Sequence, residues 1–79
     1  MSHLAKNVRH WRIAAGLTQT AVAKRSGMNR SYLSRLESGR RNPTLATLER
    51  LAKTLKVTPG TFFEDLSALR QARVRRTKH

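Results

Sequence analysis

Apolar residues recur along this chain in short stretches of helical period, each closed by glycine or proline. Leu4, Val8, Trp11 and Ala15 fall at i, i+4, i+7 and i+11, one face of a helix predicted over residues 3–15. Ser2 is its expected N-cap and Gly16 its stop. Trp11 lies on the apolar stripe and reads as core rather than as a platform for a ligand. Thr18 predicts the cap of a second helix over residues 19–26, with Val22 and Ala23 inward and Gly27 ending it. Met28 tucks into the turn. Asn29 predicts the cap of a third helix, over residues 30–38, which buries Leu33 and Leu36, keeps Tyr32 at its margin and stops at Gly39. Pro43 forces a break. Thr44 then opens a strongly amphipathic fourth helix with Leu45, Leu48, Leu51, Ala52 and Leu55 inward. Thr58 and Pro59 restart the chain as N-cap and first-turn proline of a short fifth helix carrying Phe62, Phe63 and Leu66. No stretch has the period of a strand. The expected architecture is all-α, a compact five-helix bundle.

The helices on either side of Gly27 stand out. Ala23 lies four residues before the glycine and Leu33 six after it. This suits two helices meeting at a sharp angle, with a small residue where they touch and a branched apolar residue anchoring the second. Beyond Leu66 the pattern weakens, with Leu69 and Val74 isolated among bases. Residues 1–66 therefore read as one domain. Residues 67–79 read as a basic extension, helical to about Ala72 and then disordered.

Composition sharpens this reading. A chain of 79 residues holds one small domain, and at this size folding buries only about 60% of the unfolded chain's surface. With no cysteine, neither disulfides nor thiolate zinc ligands can staple the fold. The net charge is +13, unevenly spread. Residues 1–43 carry nine Lys/Arg against one acid, Glu37; residues 44–66 carry three of each sign; residues 67–79 carry five bases and no acid. A basic front and tail suit a polyanion, and a neutral middle suits packing, within the domain or against a second subunit. Solubility alone does not need such one-sidedness. A membrane-surface helix would have to be long and uninterrupted, which glycine and proline prevent here. No apolar run approaches the ~20 residues of a spanning helix, and no signal-peptide core follows Met1. The expected location is cytosolic and nucleoid-associated.

The chain resembles the phage-repressor or XRE-type helix-turn-helix family over about residues 4–66. The resemblance rests on Leu17-Thr18-Gln19, Val22-Ala23, Gly27, Tyr32-Leu33-Ser34, Leu36-Glu37-Ser38-Gly39, Asn42-Pro43-Thr44 and the Leu48/Leu51/Ala52 helix, in this order and at these spacings. It implies a lambda-repressor-like DNA-binding domain, with residues 19–38 as the helix-turn-helix. The run Asn29-Arg30-Ser31-Tyr32-Leu33-Ser34, followed by Glu37, Gly39 and Arg41-Asn42-Pro43, is similar to the controller proteins that time expression in restriction–modification systems. Phage regulators and antitoxins of the same fold share much of it.

The resemblance puts the first turn of the third helix in the major groove of double-stranded DNA. Arg30, Ser31 and Arg35 match positions that read bases in this family. Arginine forks two hydrogen bonds onto guanine O6 and N7, so Arg30 or Arg35 is expected to read a guanine, with Ser31 or Ser34 making a shorter contact. The other reading is that both arginines touch only phosphate. Gln19 begins a helix, where free N–H groups favour an anion, and the family's glutamine at this place binds phosphate and buttresses the third helix. Asn29, Tyr32, Ser38, Arg40, Arg41 and Asn42 are further phosphate candidates. Arg12 is the lone charge beside the first apolar stripe; the resemblance implies a structural ion pair with Glu37, the alternative being that both are solvated. Leu45, Phe62, Phe63 and Leu66 offer apolar surface for a homodimer, or else ordinary core.

Enzymatic readings have little support. Glu37, Glu49, Glu64 and Asp65 form no metal-binding pair at helical spacing apart from the adjacent last two, and His3, His10 and His79 show no ligand spacing. No cofactor, metal or small-molecule ligand is expected. The function that follows is a sequence-specific transcriptional regulator binding a palindromic operator as a homodimer. An antitoxin is one alternative. An RNA-binding module is another, disfavoured by the scarcity of aromatic stacking platforms.

Overall fold

The computed structural model describes residues 2–65. Four α-helices, α1 (Ser2–Ala14), α2 (Gln19–Arg25), α3 (Arg30–Glu37) and α4 (Leu45–Leu55), are followed by a 3-10 turn, Pro59–Phe63. There is no strand among the described residues. The helix starts follow from local chemistry. Thr18 Oγ1 accepts from the Ala21 N–H at 3.0 Å, Asn29 Oδ1 from Tyr32 at 2.8 Å and Thr44 Oγ1 from Thr47 at 3.1 Å, each satisfying one of the free donors of a first turn. The ends repeat one device. The amide of Met28 reaches back to the Ala23 carbonyl at 2.9 Å and that of Arg40 to Arg35 at 2.9 Å, which requires Gly27 and Gly39 to take left-handed conformations, φ 71° and 80°. At the end of α4 the same role falls to Lys56, φ 60°, a non-glycine residue that the sequence pattern did not single out.

The core joins Val8 of α1, Val22 and Ala23 of α2, Leu33 and Leu36 of α3, Leu48, Leu51, Ala52 and Leu55 of α4, and Phe62. α1 packs on α3 and on the 3-10 turn, α2 crosses α3, and α4 closes against α2 and the turn. Trp11 packs half-buried against this core. Ala15, expected on the stripe of α1, is exposed in the turn after it, and Ala5 is buried.

Three expectations are corrected. The fifth element is a 3-10 turn, not an α-helix, so the bundle has four α-helices. Asn7 supplies the reason: from the middle of α1 its Nδ2 donates to the carbonyls of Phe62 at 2.8 Å and Glu64 at 2.6 Å, claiming oxygens that a continuing helix would need. Glu64 accordingly turns extended, ψ 149°. Leu45 does not face inward; it is the first residue of α4, at an end that no described element covers, and is 68% exposed. Phe62 is fully buried and closes the core, so it supplies no interface surface, whereas Phe63 is 58% exposed. Leu66 and the 67–79 extension lie outside the described residues.

Candidate nucleic-acid interface

The outer surface of α3 is set by its inner one. Leu33 and Leu36 are buried and fix the rotation of the helix. At 3.6 residues per turn this leaves positions 31, 34 and 35 on the opposite side, with position 30 at its flank. Arg30, Ser31, Ser34 and Arg35 are all exposed there, and neither arginine has an acidic partner among the described residues. The four side chains named from sequence are thus all on the solvent side of α3, with Arg30 and Ser31 in its first turn after the Gly27 corner and Arg35 in its last.

The phosphate candidates divide into free and committed groups. Arg40, Arg41 and Asn42 are exposed in the loop after α3. The Arg41 guanidinium lies 5.4 Å from the centroid of the Tyr32 ring, a cation–π contact that holds the loop cation against α3. Asn29 spends its carbonyl oxygen on capping and keeps its amide N–H groups. Ser38 donates its hydroxyl proton to the Arg35 carbonyl at 3.0 Å, so a phosphate contact from it would require that bond to break.

Behind this face lies a fixed polar joint. The Glu37 carboxylate accepts from Arg12 Nε at 2.7 Å, from Arg12 Nη2 at 3.1 Å and from Gln19 Nε2 at 3.1 Å, while Arg12 Nη1 donates to the Leu17 carbonyl at 2.9 Å. Side-chain exposures of 13% for Arg12 and 4% for Glu37 make this a buried, bidentate pair. One carboxylate therefore ties the end of α1, the start of α2 and the end of α3 together. Gln19 is half-buried, with one amide hydrogen on Glu37 and the second left for an anion.

Sequence reasoning missed two residues that set this geometry. Asn7 is fully buried; the available signal was a polar residue seated on the apolar stripe between Leu4 and Val8. Ser26, also buried, shares a 2.9 Å hydroxyl–hydroxyl bond with Thr54, joining the corner of the motif to α4. No group of three His, Cys, Asp or Glu among the described residues could hold a metal ion, and no described helix is long and apolar enough to cross a membrane.

A short helix anchored by two leucines, presenting arginines and serines outward and braced across a glycine corner by a second helix, defines a helix-turn-helix DNA-binding domain. The chain belongs to the HTH_3 helix-turn-helix family, whose model matches residues 8–62, and it is a helix-turn-helix transcriptional regulator. It is similar to the HTH-type transcriptional regulator y4dJ of Sinorhizobium fredii, 50% identical over 68% of this chain and 70% of that protein. It is also similar to the control protein C.SmaI of Serratia marcescens, 46% identical over 66% of this chain and 62% of that one. Among solved structures, the restriction-modification controller protein C.AhdI of Aeromonas hydrophila superposes with a TM-score of 0.74 at 35% identity, covering 76% of this chain and 91% of that chain.

Proposed function

We propose that this regulator acts as a restriction–modification controller, binding a palindromic operator as a homodimer through α3. The observation that carries the reading is the clustering of Arg30, Ser31, Ser34 and Arg35 on one exposed face, backed by the Glu37 joint. The likeness to C.AhdI, named a restriction-modification controller protein, and to C.SmaI, named a control protein, supports the choice of system. Arg30 and Arg35 read bases, and Ser31 and Ser34 make the shorter contacts. Gln19, Asn29, Tyr32, Arg40, Arg41 and Asn42 hold phosphates and fix the register. Residues 1–66 form the binding domain, and the basic 67–79 extension adds charge to it.

Footprinting on the DNA upstream of its own gene, followed by a base-substitution series, tests the reading. Arg35→Ala should cost about 1–3 kcal/mol of discrimination at a single base pair of each half-site. A loss spread evenly over all sequences would make Arg35 a phosphate contact instead. With roughly six phosphates neutralised by a dimer, log affinity should fall with a slope of about −5 against log salt. A salt-independent affinity would sink the proposal.

One α3 spans too few base pairs to be specific, and two reach successive major grooves when about 34 Å apart. Leu45 and Phe63 supply exposed apolar surface for pairing, and Leu66 joins them in this proposal. Leu45→Glu with Phe63→Glu should raise the dimer dissociation constant at least tenfold while the monomer's unfolding midpoint stays nearly unchanged. Sedimentation at micromolar concentration reads this out, and a wild-type protein that stays monomeric would remove the interface.

A further inference from the structure

A second cationic surface lies away from the loop of residues 40–42. Arg25, Ser26 and Gly27 from the end of α2, and Arg50, Lys53 and Thr54 from α4, line an open groove of about 470 Å³. Arg25, Arg50 and Lys53 are exposed, and none has an ion-pair partner among the described residues. Glu49, one turn before Lys53, does not neutralise it. The floor is polar: Ser26 and Thr54 share one hydroxyl–hydroxyl hydrogen bond.

Its position gives the partner. Arg50 Nη1 lies 3.9 Å from where a β-carbon on Gly27 would stand, so the guanidinium sits against the corner of the motif. Asn29 and Arg30 follow that corner, and Arg30 opens α3. Arg40 and Arg41 lie beyond the other end of the same helix. Cations therefore bracket α3 at both ends, as the two phosphate strands bracket a major groove occupied by a helix. We infer that Arg25, Arg50 and Lys53 clamp the backbone of the duplex flanking the bases that α3 reads. This rests on the regulator reading above. It extends the footprint with phosphate contacts that carry no sequence information.

The test compares the footprinted operator as a long duplex and as one trimmed to the bases read, for the wild type and for R25Q/R50Q/K53Q. The wild type should prefer the long duplex. With one phosphate held per protomer, its advantage over the triple variant should shrink about tenfold between 50 and 200 mM salt. The variant should bind both lengths alike with its base preference intact, and R25K/R50K, which keeps the charge, should restore the preference for length. Melting curves of the variants, together with the single exposed substitutions R25Q and K53Q, separate loss of contact from loss of fold. If the wild type binds its operator selectively but ignores flank length, or if the triple variant keeps wild-type affinity and salt slope, the clamp is overturned and the patch is left to an acidic protein partner. If the wild type shows no base preference on any duplex, the regulator reading fails as well.

Discussion

Glu37→Ala is expected to lower the melting temperature by on the order of 15 °C or more. Removing one half of a buried ion pair costs about 3–5 kcal/mol, and each kcal/mol shifts a domain of this size by about 4–8 °C. Here the loss is compounded. Arg12 would keep only the Leu17 carbonyl, at a site where its side chain is 13% exposed, and Gln19 would lose its acceptor at the end of α3. The penalty belongs to the stranded guanidinium rather than to the attraction, so replacing both partners by Arg12→Met and Glu37→Leu should recover much of it. Thermal melts followed by circular dichroism read the effect. An unchanged melting temperature in Glu37→Ala would mean that the pair contributes nothing to the fold. Because the Glu37 carboxylate is turned inward onto Arg12 and Gln19, any protein that remains folded at low temperature should retain the wild-type base preference.

Phe62→Ala should cost about 3–5 kcal/mol, the range for truncating a buried aromatic. A chain of 79 residues has a total stability of roughly 4–12 kcal/mol at about 0.05–0.15 kcal/mol per residue, so the variant should sit near the edge of unfolding at 25 °C. Phe62 is fully buried and reaches the core from the 3-10 turn, whose carbonyl Asn7 holds at 2.8 Å. Deleting the ring leaves a cavity where the turn packs on α1 and α4. Its neighbour Phe63, 58% exposed, should change monomer stability little when replaced by alanine. Urea unfolding of the two variants side by side checks the contrast. Equal midpoints, with self-association lost in Phe62→Ala, would return that ring to an interface.

The pair Phe62 and Phe63 shows where pattern reading stops. Both are aromatic, adjacent and preceded by the same Thr58-Pro59 start, and nothing local tells which one turns inward. The choice is made by Asn7, whose side chain reaches across 55 residues of sequence to fix the turn. The same long reach ends the element as a 3-10 turn, where Pro59 and the apolar run suggested a helix. Leu45 fails differently. Its spacing from Leu48 is right for the buried stripe, but periodicity specifies a direction around a helix and not whether another element covers that end.

On the outer surface of α3, the family resemblance named the side chains and the helix's own period accounts for their exposure, but neither settles the use made of each. Arg30, Ser31, Ser34 and Arg35 are exposed because Leu33 and Leu36 are buried, a relation contained in eight consecutive residues. Gln19, Ser38 and Tyr32 are phosphate candidates from sequence; only the fold shows that they also meet the Glu37 carboxylate, the Arg35 carbonyl and the Arg41 guanidinium.

Amino-acid order alone established the four helices, their caps at Thr18, Asn29 and Thr44, and the glycine corners after α2 and α3. These features depend on hydrogen bonds and backbone angles spanning at most a turn or two, which neighbouring residues settle among themselves. Tertiary packing alone decided that Phe62 closes the core, that Leu45 and Phe63 stay on the surface, and that Arg50 and Lys53 of α4 stand beside Arg25 at the corner of the motif. Each of those outcomes depends on which distant segment comes within a few ångströms, and that is a property of the folded chain.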